Sequence, residues 1–103
     1  MKRVLFHSEA EWDLHQAIIF YERERPGLGR ELRQEVEAVV RRIQQNPRAF
    51  PLQADKETRK GLVQRFPYTV VFIELEEVLW IGGMSASPGH PSLESPLPKR
   101  PEL

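Results

Sequence analysis

The sequence contains no cysteine, so disulfide bonds and thiolate metal sites are excluded. It has no net charge either, because 15 lysine and arginine residues balance 15 aspartate and glutamate residues. Proteins that bind nucleic-acid phosphates without sequence preference usually carry a basic excess, so the balance argues against that class. No apolar run approaches the roughly 20 residues that span a membrane. The lack of cysteine fits a reducing compartment, and we predict a cytoplasmic protein with no membrane segment.

Histidine is scarce as well. The three histidines are His7, His15 and His90, and none has partners at the spacing of metal ligands. The acidic pair Glu76-Glu77 is interpreted as a tight turn between strands rather than as a catalytic dyad. We therefore predict that the chain binds neither a metal nor a cofactor.

Two apolar stripes with helical spacing dominate the first half of the chain. The first consists of Ala10, Leu14, Ala17, Ile18 and Tyr21, and the second of Leu32, Val36, Val39, Val40 and Ile43. Ser8 and Glu11 have the spacing of a capping box that starts the first helix. The Pro26-Gly27-Leu28-Gly29 segment ends this helix, and Asn46-Pro47 ends the second. Residues 8–46 are therefore predicted to form an antiparallel helical hairpin that packs on a sheet.

The strands of this sheet are expected on both sides of the hairpin, where apolar, β-branched and aromatic residues lie between turn signals. Residues 2–7 precede the hairpin, and residues 59–66, 68–75 and 78–81 follow it. The predicted fold class is α+β with the order β-α-α-β-β-β. The N-terminal strand and the helical hairpin pack on a small antiparallel sheet whose last three strands form a meander.

The character of the chain changes after Gly82-Gly83. Five prolines follow, at positions 88, 91, 96, 98 and 101, with few large apolar residues between them. This composition is typical of segments that do not form a packed core. We predict one domain over residues 1–83 and an irregular, flexible Pro-rich tail over residues 84–103.

Several segments together carry a resemblance to a known family. They are Val4–Glu11, Ala17–Glu22 with Arg25–Gly29, Glu35–Glu37 with Ile43–Pro47, Arg59, and Arg65–Phe72. In this order and spacing the chain resembles the RelE/ParE toxin superfamily over about residues 3–81, and within it the ParE-like plasmid-stabilisation branch. The resemblance implies the toxin of a type II toxin–antitoxin system that inhibits DNA gyrase by binding. It also implies a cognate antitoxin protein whose C-terminal segment lies along the helical hairpin and the sheet.

The resemblance ends after the last strand, where family members usually carry His-x-x-Arg-x-Pro. If Pro88 is aligned with the family proline, Gly83 and Ala86 stand where the histidine and the arginine would be. This departure argues against RNA cleavage, and the sequence leaves open whether the chain is an enzyme. Two alternatives to gyrase inhibition therefore remain. One is a ribosome-dependent mRNA endonuclease of the RelE kind, and the other is a non-toxic remnant that only binds an antitoxin.

The candidates for catalysis in the endonuclease alternative are basic residues of the predicted sheet. They are Arg59, Lys60 and Arg65. An arginine holds a phosphate through two parallel hydrogen bonds, and a cation stabilises the charge that develops during cleavage. The plainer interpretation is that these residues are solvated charges or ion partners of acids on the helices.

A second group of residues is predicted to contact a partner. It consists of Trp12, Ile19, Arg59, Arg65 and Tyr68. Trp12 and Ile19 lie seven residues apart on the first helix, on the side roughly opposite its apolar stripe. They predict an exposed apolar patch for an antitoxin or for a second copy in a homodimer. The alternative is that the tail or the second helix covers them.

Overall fold

Four strands and two long helices follow one another in the predicted order in the computed structural model, which describes residues 1–86. The elements are β1 (Arg3–Phe6), α1 (Ser8–Glu24), α2 (Leu28–Gln45), a single 3₁₀ turn (Pro47–Ala49), β2 (Thr58–Leu62), β3 (Tyr68–Glu74) and β4 (Val78–Ala86). The α+β prediction and the β-α-α-β-β-β order are therefore confirmed. Neither helix in this part of the chain is long and apolar enough to cross a membrane.

The four strands form one sheet in the order β1-β4-β3-β2. The pairs β2–β3 and β3–β4 are antiparallel, as the predicted meander requires. By contrast, β1 pairs in parallel with β4, so the sheet is mixed rather than purely antiparallel. Parallel neighbours need a long crossover connection, and here α1, α2 and the first two strands of the meander all lie between β1 and β4.

β4 continues past the predicted strand end at Ile81 as far as Ala86. The prediction interpreted Gly82-Gly83 as a break, but the register shifts there instead, with Phe72 opposite Ile81 and Val71 opposite Gly83. Gly82 is the extra residue of a β-bulge, after which pairing resumes. The predicted tail is therefore wrong for residues 84–86, and residues 87–103 lie outside the described part of the chain.

Both helices lie on one face of the sheet, and the core fills the space between these two layers. The largest fully buried side chains are Phe72, Leu32, Ile43, Leu79, Ile81, Val36, Val39 and Val70. Both predicted stripes face this core, since their members are either buried or packed against buried residues. Burying the stripes stabilises the fold by roughly 25 cal/mol for each Å² of apolar surface that is removed from water. The helical hairpin in isolation would lack most of this stabilisation.

The hairpin turn is fixed by one carboxylate. Glu22 accepts hydrogen bonds from the N–H groups of Gly27 (2.9 Å) and Gly29 (3.0 Å) at the start of α2. An anion at a helix N-terminus satisfies unpaired donors and interacts favourably with the helix dipole. Gly27 is in the left-handed region at φ 90°, where a side chain would be strained.

The start of α1 differs from the predicted capping box. His7 is the N-cap, and its Nδ1 atom accepts a hydrogen bond of 3.1 Å from the N–H of Glu9. The imidazole also makes an edge contact with Trp80 of β4, with 5.5 Å between ring centroids. The capping role predicted for Ser8 is therefore wrong, because Ser8 is already the first residue of the helix.

Candidate functional site

A groove runs between α1 and α2 on the surface of the helical hairpin. It consists of two adjoining depressions, which share Glu11, Leu14 and Arg33. One depression extends to Phe6 and Val40, and the other extends over α1 past Trp12 and Ile18. We call this surface the hairpin groove. Such a groove fits an elongated protein segment better than a small compact ligand.

The hairpin groove is apolar because the two predicted stripes are wider than the area that the sheet covers. Ala17 and Val39, at the centres of the stripes, are fully buried. Leu14, Ile18 and Val40, at their margins, are only partly buried and line the groove. The sequence predicted both stripes, but it could not show which members remain accessible.

Trp12 lies at the outer end of the hairpin groove with 64% of its surface exposed. Tryptophan is enriched among the residues that contribute most of the binding energy at protein interfaces. Ile19, which was predicted to share its patch, is half-buried. Among the residues predicted to contact a partner, Trp12 is the one that the structure brings to the groove.

Arg59 and Lys60 are not brought together. Arg59 lies opposite Phe72 on the side of the sheet that carries the helices, and it donates a hydrogen bond of 2.7 Å to the carbonyl of Phe50. Lys60 is the next residue along β2, so its side chain points to the other face and is exposed. These two predicted catalytic residues therefore do not face a shared site.

Arg65 lies in the connection between β2 and β3 and is engaged by α2. Its guanidinium donates to Glu31 and, at 3.3 Å, to Glu35. The hydrogen bond from Arg65 lowers the pKa of the Glu31 carboxyl below its ordinary value. Arg65 is therefore an ion partner of acids on a helix, as the plainer interpretation of the sequence predicted.

Tyr68 is part of the core. It is 3% exposed, and its ring makes an edge contact with Tyr21 of α1, with 6.1 Å between centroids. Burial raises the pKa of its hydroxyl above the ordinary value. We therefore do not include Tyr68 in the hairpin groove.

Asp13 is a residue that the sequence interpretation missed. It lies between α1 and β4, where its Oδ2 atom accepts a hydrogen bond of 3.5 Å from the N–H of Met84. Partial burial raises its pKa from 3.8 to about 6, and repulsion from Glu9 adds to this shift. The signal was its position three residues after Ala10 and four before Ala17, both fully buried.

Replacing Asp13 by asparagine is expected to stabilise the protein at pH 7.5 by about 1 kcal/mol, after allowance for solvent screening. The pKa of the Asp13 carboxyl is higher in the folded protein than in the unfolded chain. Above pH 6 the ionised carboxylate therefore lowers the free energy of unfolding, and this cost disappears as the pH falls towards 4. Asparagine can still accept from Met84 but carries no charge. Urea unfolding at pH 7.5 and pH 4.5 should show the difference between the two proteins shrinking at the lower pH. A difference that is the same at both pH values would contradict the assignment.

No family model and no curated protein matches the chain. Among solved structures, it matches a chain of the structure described as the chromosomal ParDE TA system from P. aeruginosa, with a TM-score of 0.75. The chain has the same fold as that protein. The alignment covers 84% of this chain and 97% of the other, at 17% sequence identity. This shared fold agrees with the resemblance to the RelE/ParE superfamily and with the predicted α+β class.

Proposed function

We propose that the chain is the toxin of a type II toxin–antitoxin pair and that it acts by binding DNA gyrase. The observation that carries this proposal is the match to a chain of the ParDE system along 97% of that chain's length. The resemblance over residues 3–81 supports the same assignment independently of that comparison.

Binding is favoured over RNA cleavage by the positions of the basic residues. Cleavage needs acid, base and cationic groups within hydrogen-bond reach of one phosphodiester. Arg59 and Lys60 face opposite sides of the sheet, and Arg65 is engaged by Glu31 and Glu35. The groups proposed for the endonuclease alternative therefore do not converge.

The hairpin groove is the surface that we assign to the antitoxin. Its partly buried apolar floor and the exposed Trp12 offer the kind of surface that an amphipathic segment buries.

Tightly induced expression of the chain alone in a bacterial host is expected to arrest growth. A matched control is Leu32→Asp, which places a charge at a fully buried position of α2 and should prevent folding. Growth curves and protein levels of the two strains are compared. Arrest by the native chain and normal growth with the control would support a folded toxin. Normal growth with soluble, folded native protein would indicate the non-toxic remnant.

The target is tested with purified protein on gyrase supercoiling and on translating ribosomes. We expect loss of supercoiling and intact messenger RNA. A second variant, Arg59→Ala with Arg65→Ala, is expected to retain inhibition, because both side chains are engaged within the fold. Cleaved messenger RNA, abolished by the same variant, would instead establish the RelE-like alternative.

A further inference from the structure

Four charged side chains surround the apolar floor of the hairpin groove. Glu11 lies on α1, and Arg33, Glu37 and Arg41 lie on α2. All four are exposed, and within residues 1–86 none of them makes an ion pair. We call Arg33, Glu37 and Arg41 the α2 rim.

Charges elsewhere on α2 behave differently. Glu31 is paired with Arg65 and with Arg25 (3.6 Å), and Glu35 is paired with Arg65 (3.3 Å). The charges that face the β2–β3 connection thus have partners within the chain, whereas those beside the groove have none among residues 1–86. Any segment that covers the groove brings its own flanking charges next to the α2 rim, where like charges are penalised and opposite charges are favoured.

The α2 rim has a defined pattern. Its members are four residues apart, which corresponds to about 6 Å along the helix axis between successive residues. Their signs alternate as positive, negative, positive. A second helix lying alongside α2 has the same rise per residue, so its residues i, i+4 and i+8 come opposite these three positions.

We propose that the hairpin groove selects a partner helix with an acid–base–acid pattern at positions i, i+4 and i+8 beside its apolar ridge. Arg33 and Arg41 pair with the two acids, and Glu37 pairs with the base between them. This inference rests on the proposed function, because it states the chemistry of the antitoxin segment. The apolar floor of the hairpin groove contributes affinity because it buries the apolar ridge of the partner helix. The α2 rim contributes specificity because it favours one charge pattern over others.

Three synthetic helical peptides with one leucine ridge test the pattern. The three positions beside the ridge carry Glu-Lys-Glu, Lys-Glu-Lys, or the permuted Glu-Glu-Lys, which has the same net charge as the first. Their affinities are measured by calorimetry for the native full-length chain and for a reversed variant, Arg33→Glu with Glu37→Arg and Arg41→Glu. We expect the native chain to bind Glu-Lys-Glu about tenfold more tightly than either other peptide. The reversed variant should prefer Lys-Glu-Lys, and both preferences should weaken with salt.

A switch of preference shows that the reversed variant is folded. An unfolded variant would bind all three peptides more weakly than the native chain, whereas a folded reversed variant should bind Lys-Glu-Lys more tightly. Equal affinity of the three peptides, failure of the reversed variant to switch, or absence of binding to the native chain would overturn the inference. The growth assay uses the chain without a partner, so it tests the proposed function separately. A switch of peptide preference in a chain that does not arrest growth would support the inference and overturn the toxin assignment.

Discussion

Replacing Gly29 by alanine is expected to lower the free energy of unfolding by about 2 kcal/mol. The added Cβ would lie 2.7 Å from the carbonyl oxygen of Ile18 and 3.0 Å from a carboxylate oxygen of Glu22. The Ile18 oxygen belongs to the backbone of α1, so it cannot move without separating the two helices. Alanine is intrinsically the better helix residue by roughly 1 kcal/mol, and we expect the clash to outweigh that gain. Urea denaturation followed by circular dichroism measures the difference.

Gly27→Ala is the matched control for this prediction. Gly27 is in the left-handed region at φ 90°, and a Cβ there would meet nothing within 4 Å. The free energy of unfolding of that variant should fall by only roughly 1 kcal/mol, which is the cost of placing a side chain in the left-handed region. A Gly29→Ala protein as stable as the native one would mean that α1 and α2 separate easily, and it would remove the close helix approach from the description of the hairpin.

The elements that follow from local patterns were predictable from the sequence. Helical periodicity identified the two stripes, and the Pro26–Gly29 segment and Asn46-Pro47 identified the ends of the helices within a few residues. Local signals also gave the order of the strands, because turn residues separate runs with β propensity. The structural match agrees with the α+β fold that these patterns predict.

The features that depend on distant residues were not predictable. The parallel pairing of β1 with β4 joins residues more than 70 positions apart, for example Arg3 with Val78, and no local pattern encodes it. The extension of β4 depends on a β-bulge opposite Val71 and Phe72. A Gly-Gly pair can adopt a bulge, but it occurs equally at the end of a strand, so the sequence does not predict it. The N-cap role of His7 likewise depends on where α1 meets β4.

The candidate site was predictable only in part, for the same reason. Trp12 was identified as a residue off the apolar stripe, and its exposure agrees with that position. The hairpin groove could not be identified, since the accessible margins of both stripes depend on how much of each stripe the sheet covers. The sequence also could not show whether Arg59 and Arg65 are free to bind a ligand, because their partners come from other segments of the chain. These partners are Phe50, Glu31 and Glu35.

Replacing Trp12 by glutamate is expected to weaken antitoxin binding by about 30-fold or more, which corresponds to roughly 2 kcal/mol. Tryptophan buries a large apolar area when a partner covers it, and a glutamate at the same position buries less apolar surface and must also be desolvated. Because the side chain is 64% exposed in the chain alone, the fold and the growth arrest should be unchanged. The antitoxin is first isolated from a genomic library by rescue of arrested cells, and its affinity for both proteins is then measured by calorimetry.

Leu62→Glu provides the matched control, because Leu62 on β2 is 67% exposed and receives the same charged side chain at a distance from the hairpin groove. Its affinity for the antitoxin should equal that of the native protein. Equal losses in both variants would point to a general effect of the added charge. Native affinity in Trp12→Glu would show that the antitoxin binds another surface, such as the outer edge of β1. Loss of helical circular dichroism in Trp12→Glu alone would show that Trp12 stabilises α1 itself, which its exposure argues against.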